Sequence, residues 1–179
     1  MTKAGGVPAR ALFLVVEPDA EDLPRKRFSE AGVDVVIATP ARLAELSDAD
    51  IAGFAGMFVP DDPGAPASLT GSADARRVLR ILHGKKAPIA SVGRGPAVLL
   101  SAPPNSEGQW LFDGYRLTSS TDAAEAPWRL DVALKAAGAV FEETATVVVD
   151  RNLVTARNAD SAGSVAGAVL ELMAAKGYL

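Results

Sequence analysis

Four short apolar runs recur through the first hundred residues, each closed by polar or turn-forming residues. They are ALFLVV at Ala11–Val16, VDVVIAT at Val33–Thr39, GMFVP at Gly56–Pro60 and PIASV at Pro88–Val92. Their compactness and richness in β-branched and aromatic residues predict strands buried on both faces. The segments between them change period. Glu21–Ala31 reads as a helix, with Pro24 tolerated in its first turn and Gly32 placed to close it. Ser47 caps a short helix running to Phe54. Ser72–His83 is helical, with Val78, Leu79 and Leu82 on one face, and a further helix covers about Gly95–Ser101. Strand and helix alternate four times, which predicts a parallel sheet with helices on both faces.

The second half is less regular. Asp61–Gly71 and Pro103–Gly108 are rich in turn residues and read as loops. Tyr115–Ser119 is a candidate strand, and Ala126–Ala137 a helix closed by Gly138. Thr146–Asp150 and Leu153–Arg157 flank the dipeptide Arg151-Asn152, the spacing of a two-residue β-hairpin. Asp160–Lys176 forms a last helix, with Val165, Val169, Leu172 and Met173 on one face. No repeat, low-complexity segment or composition shift divides the chain, so residues 1–179 are expected to form one domain.

Composition narrows the function classes. Apolar residues make up 49% and charged residues 22% of the 179, as in ordinary globular proteins. The net charge is −4 and no basic cluster stands out, which argues against a nucleic-acid partner. No apolar run approaches the ~20 residues that span a bilayer. Ala11–Val16 is too short for a signal sequence, so a cytoplasmic setting away from membranes is expected. Cysteine is absent, which excludes disulfides, thiolate metal sites and thiol catalysis together.

Several segments taken together resemble the ThiJ/PfpI superfamily, which includes the parkinsonism-associated deglycases and class I glutamine amidotransferase-like domains. The resemblance rests on AEDLP at Ala20–Pro24, MFVPDD at Met57–Asp62, KKAPIASVGRGPAVLLSA at Lys85–Ala102, AGAVFEE at Ala137–Glu143 and VVVDRNLVTARN at Val147–Asn158. It implies a flavodoxin-like α/β/α sandwich with a mostly parallel sheet and a late β-hairpin. It also implies a homodimer.

Family members usually carry Cys-His-Gly-Pro after the fourth strand, the cysteine on a strained elbow with its thiolate poised by a helix N-terminus and a nearby glutamate. Aligning Gly95-Pro96 with that Gly-Pro puts Gly93 at the cysteine and Arg94 at the histidine. Pro24 stands at the glutamate, after Glu21-Asp22-Leu23. Two glycines usual after the third strand are Asp61 and Asp62 here, placing acids where a developing oxyanion needs donors. The resemblance therefore implies a member without the family's cysteine-dependent chemistry: a binding or scaffold module, with no catalytic residue and no cofactor.

Three uses of the corner compete. An ion pair of Arg94 with Asp61 or Asp62 closes the former pocket. Alternatively Arg94, with Gly93 and Gly95, receives a small charged ligand such as a zwitterion, the aspartates facing its positive end. In the third, Asp61, Asp62 and Glu21 hold a hard cation and support relocated enzyme chemistry. Serine catalysis has no support. Ser91 lies within the fourth strand, and His83, the one histidine, ends the preceding helix at the opposite sheet edge, near the negative end of the dipole. Trp110, Phe112 and Trp128 are expected to pack as a hydrophobic cap, and Arg157-Asn158 to serve structure.

Overall fold

The computed structural model describes residues 7–16, 22–122 and 129–179. Four parallel strands form its centre: β1 (Arg10–Leu14), β2 (Asp34–Ala38), β3 (Gly56–Val59) and β4 (Ile89–Val92). Interleaved are α1 (Asp22–Glu30), α2 (Pro40–Glu45), α3 (Asp48–Ala52), α4 (Ala65–Leu69) and α5 (Ala73–Gly84). A 3₁₀ helix, Gly95–Ser101, follows β4. Then come β5 (Arg116–Leu117), α6 (Leu130–Ala137), β6 (Val140–Phe141), β7 (Val147–Asp150), β8 (Leu153–Ala156), a 3₁₀ turn at Ala159–Ser161 and α7 (Ala162–Ala175). The main sheet is ordered β2-β1-β3-β4-β8-β7, and only the β7–β8 hairpin is antiparallel. Strands β5 and β6 form a separate parallel pair.

Burial on both faces explains the unalternating strand sequences. Leu12, Leu14, Met57, Val59, Ile89 and Leu153 face one helical layer, packing with Phe54, Leu79 and Leu82. Phe13, Phe58, Ala90, Val92 and Val154 face the other, against Phe28, Val165, Val169 and Met173. Phe13 bridges β1 and its neighbours: its ring stacks on Phe58 at 5.0 Å and meets Phe28 edge-on at 5.1 Å. No helix among the described residues is long and apolar enough to cross a membrane.

The mostly parallel sheet, the late hairpin and the main helices stand where the sequence pattern puts them. Ser47 caps α3 with a reciprocal capping box through Asp50, and Ser72 caps α5. Gly32 and Gly138 close their helices at φ +77° and +118°. Several elements differ from expectation. Helix α4 lies within the Asp61–Gly71 stretch that reads as loop, and α2 in a stretch to which the pattern assigns no element; Pro66 and Pro40 sit within their first two helical positions, where a missing N–H costs nothing. The segment after β4 winds as 3₁₀ rather than α. Strand β5 is shorter than Tyr115–Ser119. The polar turn after β1, including Glu21, and the expected start of α6 with Trp128 lie outside the described residues.

Candidate functional site

The carboxyl ends of β3, β4 and β8 meet at one sheet edge, where ligands of open α/β sheets bind. The chain leaves β4 through Gly93, whose φ is +59°, the left-handed conformation that glycine adopts without a Cβ penalty. The backbone there is an elbow. Gly93 N–H donates to Ala156 O at 2.8 Å, and Ser120 N–H donates to Gly93 O at 2.7 Å. Glycine is also required by space. A Cβ on Gly93 would stand 2.7 Å from the Asp61 Cβ and closer still to its Cγ and Oδ1. The Asp61 carboxylate thus fills the volume where a side chain on Gly93 would begin. Gly95 is confined similarly, since its Cβ would meet Val59 O at 2.6 Å and Pro60 O at 2.8 Å.

Arg94 fixes that carboxylate. Its Nε donates to Asp61 Oδ1 at 2.8 Å, and its backbone N–H reaches the same oxygen at 3.1 Å. The two side chains are 25% and 19% exposed, so the pair is partly desolvated and only partly screened. Of the two aspartates after β3, the structure brings Asp61 to the elbow and turns Asp62 elsewhere. Asp62 is buried and accepts from Val16 N–H at 2.8 Å and Gly64 N–H at 2.7 Å, tying the loops after β1 and β3 together. The corner's chemistry follows from this accounting. The Gly93 N–H is taken by a carbonyl and the Arg94 N–H by a carboxylate. An oxyanion arriving here would meet donors already in use and a resident negative charge.

Pro24 is buried at the third position of α1 and offers no proton. Glu21 lies outside the described residues. Among the described residues no group of three or more His, Asp or Glu converges in a way that could hold a metal. Ser91 is fully buried, and its hydroxyl has no partner among the described residues. It shares the register row of Val59 and Thr155, inside the sheet rather than at the corner.

Sequence reasoning missed the remaining wall of the corner. A polar cavity of about 200 Å³ lies beside Asp61, bounded by Ser120, Thr121, Asp122, Arg157 and Asn158. Arg157 and Asn158, expected only to end a strand, line this space, while the Arg157 guanidinium also donates to the Glu142 and Glu143 carbonyls. No local motif marks Ser120–Asp122. They arrive through the Ser120–Gly93 backbone bond, a contact between distant segments.

His83 departs from its expected environment. It ends α5, but its Nε2 lies 3.0 Å from the Tyr115 hydroxyl and its ring meets Phe112 edge-on. Burial first, and the Arg151 charge second, hold its pKa below 6.5, the reverse of what a helix C-terminus alone would do. Trp110 and Phe112 do pack as a cap: their rings are 5.6 Å apart and the Trp110 indole donates to Leu99 O.

Sheet order and elbow together define a flavodoxin-like α/β protein whose central feature is the turn after the fourth strand. The chain belongs to the DJ-1/PfpI family, whose model matches residues 9–172. It is 34% identical over 136 residues to the human glutamine amidotransferase-like class 1 domain-containing protein 1, a match covering 69% of this chain and 60% of that protein. The chain therefore spans about 60% of the length of the curated relatives it matches. Among solved structures, glyoxalase III of Candida albicans superposes with a TM-score of 0.77 at 14% identity, covering 91% of this chain and 96% of that one. Drosophila melanogaster DJ-1beta superposes at 0.67 and 22% identity, covering 96% and 94%. At these identities the likeness concerns the fold, and a shared fold does not fix function. Within that fold this member has no cysteine.

Proposed function

We propose that this protein is a non-catalytic member of its family, a binding or scaffold module in which an aspartate–arginine pair has replaced the reactive thiol. One observation carries the reading: the Asp61 carboxylate, held by Arg94, fills the space beside Gly93 where a nucleophile would project. In this reading the protein acts as a cytoplasmic homodimer, and residual recognition at the corner is of a small charged molecule. The polar cavity beside Asp61 supports that class of ligand, with Arg157 for an acidic group and Asp61 or Asp122 for a basic one. The engagement of Asp61 and Asp62 in their own bonds disfavours a cation site formed with Glu21.

The test is enzymatic and calorimetric. The purified protein is expected to leave methylglyoxal unconsumed above a buffer blank, and Gly93→Cys alone is expected to restore nothing, because Asp61 still fills the place of the thiol. Turnover by the unmodified protein that an Arg94 or Asp61 substitution abolishes would overturn the reading. For recognition, titration with glycine, small carboxylates and phosphate should give a saturable heat that Arg157→Ala weakens. Affinity untouched by that change removes the corner as the site.

A further inference from the structure

The opposite edge of the sheet carries a second cavity that the family's chemistry does not use. It holds about 450 Å³, within the ~300–1,000 Å³ common for small-molecule sites. It opens between the last turns of α5 and α7 and the β7–β8 turn. Its walls are largely apolar: Pro88, Leu172 and the Tyr115 ring line them. At its base the Tyr115 hydroxyl meets His83 Nε2, and the Asn152 amide donates to Ala87 O at 2.9 Å.

Its rim is cationic. Lys86, Arg151 and Lys176 line the cavity, and no carboxylate does. Arg151 stacks its guanidinium on Tyr115, 3.5 Å from the ring centroid. Its Nε and Nη2 bond to Asp150 and the Gly114 carbonyl. The Lys86 and Lys176 ammonium groups have no hydrogen-bond or ion-pair partner among the described residues. The charge balance favours an anion. Each of the two helix C-termini brings roughly half a negative charge, and Asp150 brings one more against Arg151. Three cations leave a surplus of about one positive charge.

Backbone conformation gives an independent pointer. Among the described residues only two non-glycines have positive φ, Lys86 at 56° and Arg151 at 55°. Both stand on this rim. Each occupies a turn position, after α5 and in the hairpin, that glycine fills with less strain. Long cations stand there instead. Strained residues of this kind gather where a site needs their side chains.

We infer that this cavity binds a small organic carboxylate with an aromatic or branched apolar body, its acid group at Lys86, Arg151 and Lys176 and its body against Tyr115, Pro88 and Leu172. The site is separate from the elbow after β4, and its fate does not depend on what the elbow does.

The probe is 2-naphthoate, with 2-naphthamide as its uncharged counterpart, followed by calorimetry and by chemical-shift changes at low salt. The carboxylate is expected to bind once per chain with Kd below about 1 mM, and the amide at least about tenfold more weakly. The double substitution K86M/K176M, which breaks no internal bond, should weaken the carboxylate about tenfold or more. Lys26→Met, on exposed α1, should change nothing. Leu172→Trp, checked for a native unfolding transition, should abolish binding by filling the cavity. Equal affinity for acid and amide, no saturable binding, or indifference to K86M/K176M would overturn the proposal.

Discussion

Asp61 and Gly93 are complementary in a way that either alone does not reveal. Glycine at φ +59° leaves a gap beside its Cα, and the carboxylate from the neighbouring loop fills it. Gly93→Ala should therefore be destabilising twice over. The left-handed backbone costs an alanine about 1–2 kcal/mol, and overlap with Asp61 adds about 1–3 kcal/mol. Asp61→Ala should cost about 1–3 kcal/mol by leaving Arg94 without this carboxylate. In the double variant the overlap with the Asp61 Cγ and Oδ1 is removed and only the 2.7 Å approach of the two Cβ atoms remains, so the losses should fall short of additive by about 1 kcal/mol. Urea denaturation of the four proteins measures the coupling. Losses that add within ~0.5 kcal/mol would show that Asp61 does not occupy the gap. Part of this pairing was legible in the sequence: Arg94 and Asp61 stand on loops that the parallel order places side by side. The choice of Asp61 over Asp62 was not. It depends on Val16 and Gly64 presenting N–H groups to Asp62, and no local pattern announces that geometry.

At the scale of elements, legibility followed the strength of the local signal. The buried strands and the hairpin were plain, because nothing but a two-sided core accounts for runs such as Ala11–Val16. The short helices α2 and α4 were hidden by Pro40 and Pro66, which read equally well as turn residues. Helix α5 combined every signal: a serine cap, an amphipathic face and a basic end. Its start matters to the molecule because the helix packs against α2, α3 and the 3₁₀ segment after β4. Ser72 Oγ accepts from Ala75 N–H at 3.2 Å, so Ser72→Ala removes the partner of one orphan donor. The expected loss is about 1 kcal/mol, or roughly 2–4 °C in melting temperature for a chain of this size. Ser72→Asp should retain most of the stability, as a cap does. A melting temperature unchanged in Ser72→Ala would show that the start of α5 is held by packing alone.

At the scale of the whole molecule, the sheet's two edges differ in chemistry. At the carboxyl edge the Arg94–Asp61 ion pair stands beside a small polar cavity. The opposite edge gathers His83, Tyr115, Asn152 and Arg151 around a cavity, and two groups there, His83 and Asp150, tie stability to pH. Burial keeps His83 below its ordinary 6.5, and Arg151 adds to that effect. The unfolded chain therefore binds a proton at a higher pH than the native protein does. Stability from the neutral ring is complete above about 6.5 and declines as pH falls from there through the lowered native value. Asp150 acts further down. The hydrogen bond from Arg151 keeps its carboxyl below 3.8 despite opposing burial, so its contribution is lost only in more acid solution. Two steps are expected in a plot of unfolding free energy against pH. His83→Gln should flatten the upper one between pH 7 and 5 and leave the lower one in place. Asp150→Asn should leave the upper step in place and shrink the lower one, to which Asp50 and Asp131, also held below 3.8, contribute as well. An upper step that survives in His83→Gln would place its origin in another group and remove the histidine–tyrosine contact as the acid-sensitive element of this edge.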